Sequence, residues 1–162
     1  MRFYYNVVIL LVLSGCAKYQ SKFNRKYISY TKELSTRTEI PQINDSTMLI
    51  SVVSEDMEYA RVPSKPVMLG MATRKEGAEN IEKYLNALTG LNGEEVFYKK
   101  FSPCCPFKTV NAADEKYFKS DFGLLEMYKV YHHTLNDTII IYLNLYDEGL
   151  IQAPKGFKAR KN

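Results

Sequence analysis

The stretch Gly123-Leu124-Leu125-Glu126-Met127-Tyr128-Lys129-Val130-Tyr131-His132-His133 decides the fold when read with Thr138-Ile139-Ile140-Ile141-Tyr142-Leu143-Asn144-Leu145-Tyr146, which follows it. Both arms are rich in β-branched and aromatic residues, and the link between them, Thr134-Leu135-Asn136-Asp137, is short and polar. This predicts a β-hairpin with strands over 123–133 and 138–146. On the second arm Ile139, Ile141, Leu143 and Leu145 share one face, and Ile140, Tyr142, Asn144 and Tyr146 share the other. Two largely apolar faces predict cover on both sides, and so the centre of the sheet.

Upstream, Val96-Phe97-Tyr98-Lys99-Lys100-Phe101 reads as extended chain after a turn at Leu91-Asn92-Gly93-Glu94. Before that turn the period changes. Ala78, Ile81, Tyr84, Leu85 and Leu88 recur at helical spacing from Arg74 onward, with Thr73 placed to cap the start and Gly90 to supply a left-handed C-terminal residue. Further back, Met48-Leu49-Ile50-Ser51-Val52-Val53 reads as a buried strand and Val67-Met68-Leu69-Gly70 as a shorter one, with Pro63 and Pro66 in the loop between. One helix among sequential strands, without strand-helix alternation or an internal repeat, predicts an α+β domain over 47–157. In it one amphipathic helix packs on a mostly antiparallel sheet.

The first residues have a different logic. Arg2 precedes a short apolar run from Val7 to Leu13, which ends in Leu13-Ser14-Gly15-Cys16. A spanning helix needs about 20 apolar residues, and this run is far shorter. The charged start, brief apolar core and small residues instead predict a secretory signal over 1–15. The final four residues resemble the lipobox of bacterial lipoproteins, in which the Cys thiol takes a diacylglyceryl group and becomes the new N-terminus. That resemblance assigns lipidation to Cys16 and makes a membrane the first partner. Residues 16–46 are then the lipidated Cys and a polar tether, of which Ala17 to about Tyr30 reads as flexible chain. Ala17 stands where lipoproteins retained in the inner membrane carry Asp, and no acidic run follows; by the same resemblance the expected location is the outer membrane, facing the periplasm.

Removal of residues 1–15 leaves 147 of 162 residues, enough for one domain with one core. The net charge of +4 loses only Arg2, and its basic residues are scattered. No nucleic-acid partner is expected from so mild a balance. Lys158, Arg160 and Lys161 lie in a basic tail, 158–162, expected to be solvated.

Cys104 and Cys105, flanked by Pro103 and Pro106, are the candidate redox or structural pair. Their neighbouring α-carbons sit about 3.8 Å apart across a trans peptide, below the usual disulfide separation, so a bridge between them would be strained and reducible. Three readings stand: a vicinal disulfide, a thiol or metal site in a proline-stiffened loop, or two structural cysteines in a turn against the sheet. Zinc ligands normally place two to four residues between paired cysteines, and His132 and His133 would point to opposite faces of a strand. No metal or cofactor is therefore expected, and both imidazoles are expected in water near the hairpin end. The carboxylates of Asp114, Glu115, Asp121, Glu126, Asp147 and Glu148 form no acid–base spacing and read as exposed loop groups. Nucleophile-elbow, phosphate-loop and metalloprotease motifs are missing. Phe97, Phe101, Phe107 and Phe118, with the tyrosines, divide between core and a candidate binding surface.

Tyr84-Leu85-Asn86-Ala87-Leu88-Thr89-Gly90, Ser102-Pro103-Cys104-Cys105-Pro106-Phe107, Gly123-Leu124-Leu125-Glu126-Met127-Tyr128, Tyr142-Leu143-Asn144-Leu145-Tyr146-Asp147 and Ala153-Pro154-Lys155-Gly156-Phe157 together resemble a family of small lipoproteins from Bacteroidota. Some of its members carry, by automatic assignment, the name 2-dehydro-3-deoxyphosphooctonate aldolase. That enzyme is built on a (β/α)8 barrel, which needs about 250 residues and eight strand–helix units. A mature chain of this length with one helix has neither, so the name reads as an artefact and brings no catalytic residues. The expected function is a non-enzymatic envelope lipoprotein that binds an envelope protein or serves as a structural module. The alternative is a thiol-dependent or redox protein using Cys104 and Cys105.

Overall fold

The structure, a computed structural model, describes residues 28–29, 40–70, 74–109, 122–134 and 137–161. The signal segment, Cys16, Thr73, Asp114, Glu115, Phe118 and Asp121 lie outside them. In chain order the elements are β1 (Ile28–Ser29), β2 (Gln42–Asn44), β3 (Thr47–Met48), β4 (Val67–Met68), α1 (Arg74–Asn86), β5 (Leu88–Thr89), β6 (Phe97–Lys108), β7 (Phe122–Tyr131), β8 (Ile139–Asn144) and β9 (Lys158–Ala159). Among the described residues, one helix on a mostly antiparallel sheet makes this an α+β fold.

The main sheet runs β1-β6-β7-β8-β4. Its long pairs, β6–β7 and β7–β8, are antiparallel, and two-residue strands β1 and β4 add to its edges in parallel. The hairpin forms as expected, but β7 rather than β8 is central. The outer edge of β8 is finished by short pieces: β4 pairs at Leu143 and Asn144, and the Tyr142 amide donates to the Ala60 carbonyl at 2.8 Å. Such cover removes an exposed edge that would template pairing with another chain.

Val130, Ile141 and Leu143 project from the sheet into the core and meet Ile81, Tyr84 and Leu85 of α1 with Met48, Leu69, Leu88 and Phe157. The Tyr84 ring is wholly buried, and its hydroxyl donates to the Gln152 carbonyl at 3.0 Å. Desolvation holds that phenol well above its ordinary range. Burying an aromatic ring of this kind contributes roughly 1.5–3 kcal/mol.

The helical spacing of Leu88 is misleading. The helix ends at Asn86, and Leu88 reaches the core from β5, which pairs with β9 through Leu88–Ala159 and Thr89–Lys158. Ala78 is exposed, and Gly77 takes the buried position instead. Gly90 does not take a positive φ; its missing side chain leaves room for the Glu94 carboxylate, into which a Cβ would collide.

Three bounds also shift. Met48–Val53 is not one strand: Thr47–Met48 pairs with β2, while Val53 bridges to Ala153, with Leu49, Val52 and Val53 exposed. The basic tail is partly structure, because Lys158–Ala159 is β9 and Arg160 donates its amide to the Ala87 carbonyl at 2.7 Å and its Nε to the Asn86 carbonyl at 2.9 Å. Ile28–Ser29, within the expected tether, joins the sheet beside Phe107 and Lys108.

Candidate functional site

Cys104 and Cys105 lie inside β6, not in a loop. The strand passes through Ser102-Pro103-Cys104-Cys105-Pro106 by breaking register twice, between Lys100 and Pro103 and between Cys104 and Pro106. Proline cannot donate to a ladder and is confined within sheets to edges and bulges, and both prolines sit at these breaks. Cys104 opposes Leu125 and Pro106 opposes Leu124, so Cys105 is the extra residue. Its φ is 53°, left-handed backbone that costs an ordinary side chain roughly 1–2 kcal/mol.

The two cysteines form a vicinal disulfide across a trans peptide, with α-carbons 3.7 Å apart. Ordinary disulfides span about 4.4–6.8 Å, and bridges held outside that range are the more reducible ones. Both residues are half-buried, which leaves part of the pair open to solvent. Chemically, this bond can accept a thiolate: attack on one sulfur frees the other, and a second thiol completes reduction to two cysteines while the attacking dithiol is oxidised.

One row along, Lys100 Nζ lies 2.9 Å from Glu126 Oε2, beside Pro103. The carboxylate raises the Lys100 ammonium above its ordinary value, chiefly through their hydrogen bond. Glu126 is 19% exposed and is thus a paired sheet residue instead of a loop carboxylate. On the opposite face Lys129 Nζ sits 4.5 Å over the Phe101 ring, itself 55% exposed. Phe107 is fully buried, and Phe97 stacks on Tyr131 with centroids 5.6 Å apart.

The histidines are not brought to the cysteines. Seven residues along β7 and beyond separate Leu125, opposite Cys104, from His132, about 23 Å of extended chain. Contrary to the expectation of two solvated imidazoles, His132 is buried at 5% exposure, edge-on to Phe157, whereas His133 is exposed beside Phe97. A hydrogen-bond chain fixes the buried ring. Thr134 Oγ1 donates to Glu94 Oε1 at 3.0 Å and lies 2.9 Å from His132 Nδ1. Its single proton is spent on the carboxylate, so Nδ1–H must donate to the hydroxyl oxygen. His132 Nε2 is buried and has no hydrogen-bond partner among the described residues. Glu94 also accepts from the Asn92 amide and side chain at 2.8 and 3.0 Å. Backbone hydrogen bonds first, then those of Asn92 and Thr134, pull its carboxyl down to about 2.

Asp147 also departs from the expected exposed carboxylate, for it is wholly buried. Thr109 Oγ1 donates to its Oδ1 at 2.6 Å and Asn144 Nδ2 to its Oδ2 at 2.9 Å. Asn144 Oδ1 accepts the amides of Tyr146 and Asp147 at 2.8 and 3.1 Å. This closed network folds the chain after β8 and ties it to the end of β6.

A cavity of about 340 Å³ between α1 and the β2–β3 turn is lined by Asp45, Ser46, Glu79, Glu82, Lys83 and Asn86. No spacing in the sequence marks it, because the β2–β3 turn reaches the helix only through folding. Lys83 is drawn to Gln42 and Asn86 to the Ser46 carbonyl. Among the described residues no helix is long and apolar enough to cross a membrane. No family model, curated protein or solved structure matches the chain.

Proposed function

We propose that this protein is a cell-envelope lipoprotein of the small Bacteroidota type, held on the outer membrane, facing the periplasm, by lipid on Cys16, with a domain that binds an envelope component. The observation that carries the reading is the register of Arg2, the short apolar run and Leu13-Ser14-Gly15-Cys16. Residues 1–15 are the signal, the polar residues after Cys16 are a tether, and α1, with Ile81, Tyr84 and Leu85 inward and Glu76, Glu79 and Glu82 outward, is the amphipathic helix. Each buried acyl methylene contributes about 0.8 kcal/mol, so two or three chains hold such a protein almost permanently. Metabolic labelling with palmitate tests it: the wild-type chain takes label and sediments with membranes, and Cys16→Ser takes none. Equal labelling of both would overturn the assignment.

A second reading is favoured by the vicinal disulfide in β6: the pair is a reversible redox element reduced by a dithiol protein of the envelope. Left-handed backbone at Cys105 and partial exposure of both cysteines support it. Alkylation of envelope-purified protein before and after dithiol treatment tests it. Two thiols revealed only after reduction support the switch; two thiols free at the outset would sink it.

A further inference from the structure

The main sheet has a second face, turned away from α1, and only one end of it is covered. There Gly123 abuts Tyr146 and the fully buried Phe107, and Leu125 beside them is fully buried too. Alternation along β7 carries this face on to Lys129 and Tyr131, and β6 adds Phe97, Lys99 and Phe101. At this end the side chains are open: both lysines are exposed, Phe101 is 55% exposed and Tyr131 45%.

Lys99 and Lys129 are direct cross-strand partners. Like charges so placed, with β-carbons about 5 Å apart, repel each other. Neither ammonium has an ion-pair partner among the described residues. The three long strands hold one carboxylate, Glu126, and it lies on the helix side of the sheet, paired with Lys100. Of the acidic residues just beyond the strand ends, Glu95 is bridged to Thr89 and Asp137 lies in the hairpin link. Aromatic rings flank the two cations on both sides. One row along, Phe97 stacks on Tyr131 and meets His133 edge-on, with centroids 5.6 and 5.3 Å apart; on the other side lies Phe101, under Lys129 Nζ.

Two ammonium groups this close suit an anionic group set between them, and aromatic faces, which carry the negative part of the ring quadrupole, suit the C–H bonds of a saturated ring. A bilayer fits less well, because Phe101 could not enter an acyl layer without drawing in the ammonium that covers it. A net charge of +4 over the whole chain is too small to favour nucleic acid. We propose that this face binds an acidic glycan of the polyuronate type, with carboxylates on Lys99 and Lys129 and sugar rings packed on Phe101 and on the Phe97–Tyr131 pair. The inference rests on the envelope placement proposed above and names the envelope component that the domain binds.

Titration calorimetry of the full-length lipidated protein in neutral detergent, at about 0.15 M salt, tests it with four probes: oligogalacturonate, a neutral maltooligosaccharide of equal length, polyglutamate and oligothymidylate. The expected result is binding of oligogalacturonate in preference to the other three. Lys99→Gln with Lys129→Gln should weaken it about tenfold, and Tyr131→Ala at least about threefold. Lys108→Gln, a lysine on the helix side of the sheet, should leave it unchanged. Thermal melts should show the double lysine variant no less stable than wild type, since it relieves a repulsion; a lower melt would overturn the view of the two lysines as a repelling pair kept for a ligand. Equal binding of polyglutamate, or oligogalacturonate binding that ignores Tyr131→Ala, overturns the glycan in favour of charge alone. Preference for oligothymidylate overturns it in favour of nucleic acid. No binding of oligogalacturonate by protein that takes palmitate label overturns this inference and leaves the anchor intact, whereas binding by protein that takes no label upholds the site and overturns the anchor.

Discussion

Thr134 Oγ1 donates a hydrogen bond to Glu94 Oε1 at 3.0 Å, joining the end of β7 to the turn after β5 across forty positions of sequence. Glu94 is held at about 2 in the folded chain against an ordinary 4.5. A carboxyl depressed by folding contributes stability that is whole above its unfolded value and is lost as pH falls through its folded value. Thermal melts of wild-type protein should therefore weaken between about pH 4.5 and pH 2, and Glu94→Gln should flatten that fall and melt lower at neutral pH. Parallel melting curves for both proteins across this window would contradict the role given to Glu94.

Gly123 stands where β7 passes closest to two rings. A Cβ there would lie 2.7 Å from the Tyr146 ring and 2.8 Å from Phe107 Cζ, and Phe107 is fully buried. Overpacking of this kind costs about 1–3 kcal/mol, so Gly123→Ala should lower the urea midpoint clearly. Gly93→Ala is the contrast. No atom lies within 4 Å of that Cβ, and the φ of 89° leaves only a backbone cost, roughly 1 kcal/mol.

The left-handed φ of Cys105 separates backbone from sulfur. With Cys104→Ala in place no bridge forms, and Cys105→Gly should then be about 1 kcal/mol more stable than Cys105→Ala in urea, because only glycine accepts φ 53° without penalty. Equal stabilities would show that the bulge relaxes once the bridge is gone.

Asn144 carries four hydrogen bonds in a fully buried position, to Asp147, Tyr146 and Met68. Asn144→Leu keeps a γ-branched side chain but removes the donor to Asp147 Oδ2 and the acceptor of two buried amides, so a loss of about 3 kcal/mol or more is expected in denaturant melts.

The hairpin was legible because its pattern is local: alternating β-branched and aromatic residues need only their own neighbours to declare a strand. The helix was legible for the same reason, yet Leu88 continued its spacing into β5, since burial of a leucine looks the same from either element. β6 was read only to Phe101 because two prolines normally end a strand; the register breaks that accommodate Pro103 and Pro106 leave no mark in composition. Of the candidate site, the adjacency of Cys104 and Cys105 foretold the short α-carbon separation, whereas the left-handed Cys105 follows from pairing with β7. Burial of His132 depends on Phe157, and that of Asp147 on Thr109 and Asn144; neither neighbour is announced by spacing. The pairing of Lys158–Ala159 with Leu88–Thr89 is equally long-range, which is why Lys158, Arg160 and Lys161 read as a tail.

The most direct test of the account is the intact mass of the protein extracted from the cell envelope. The account predicts a chain beginning at Cys16, without residues 1–15, heavier than that polypeptide by a diacylglyceryl group, with or without a further acyl chain. A mass equal to the full 162 residues, or to a shortened chain bearing no lipid, would contradict it.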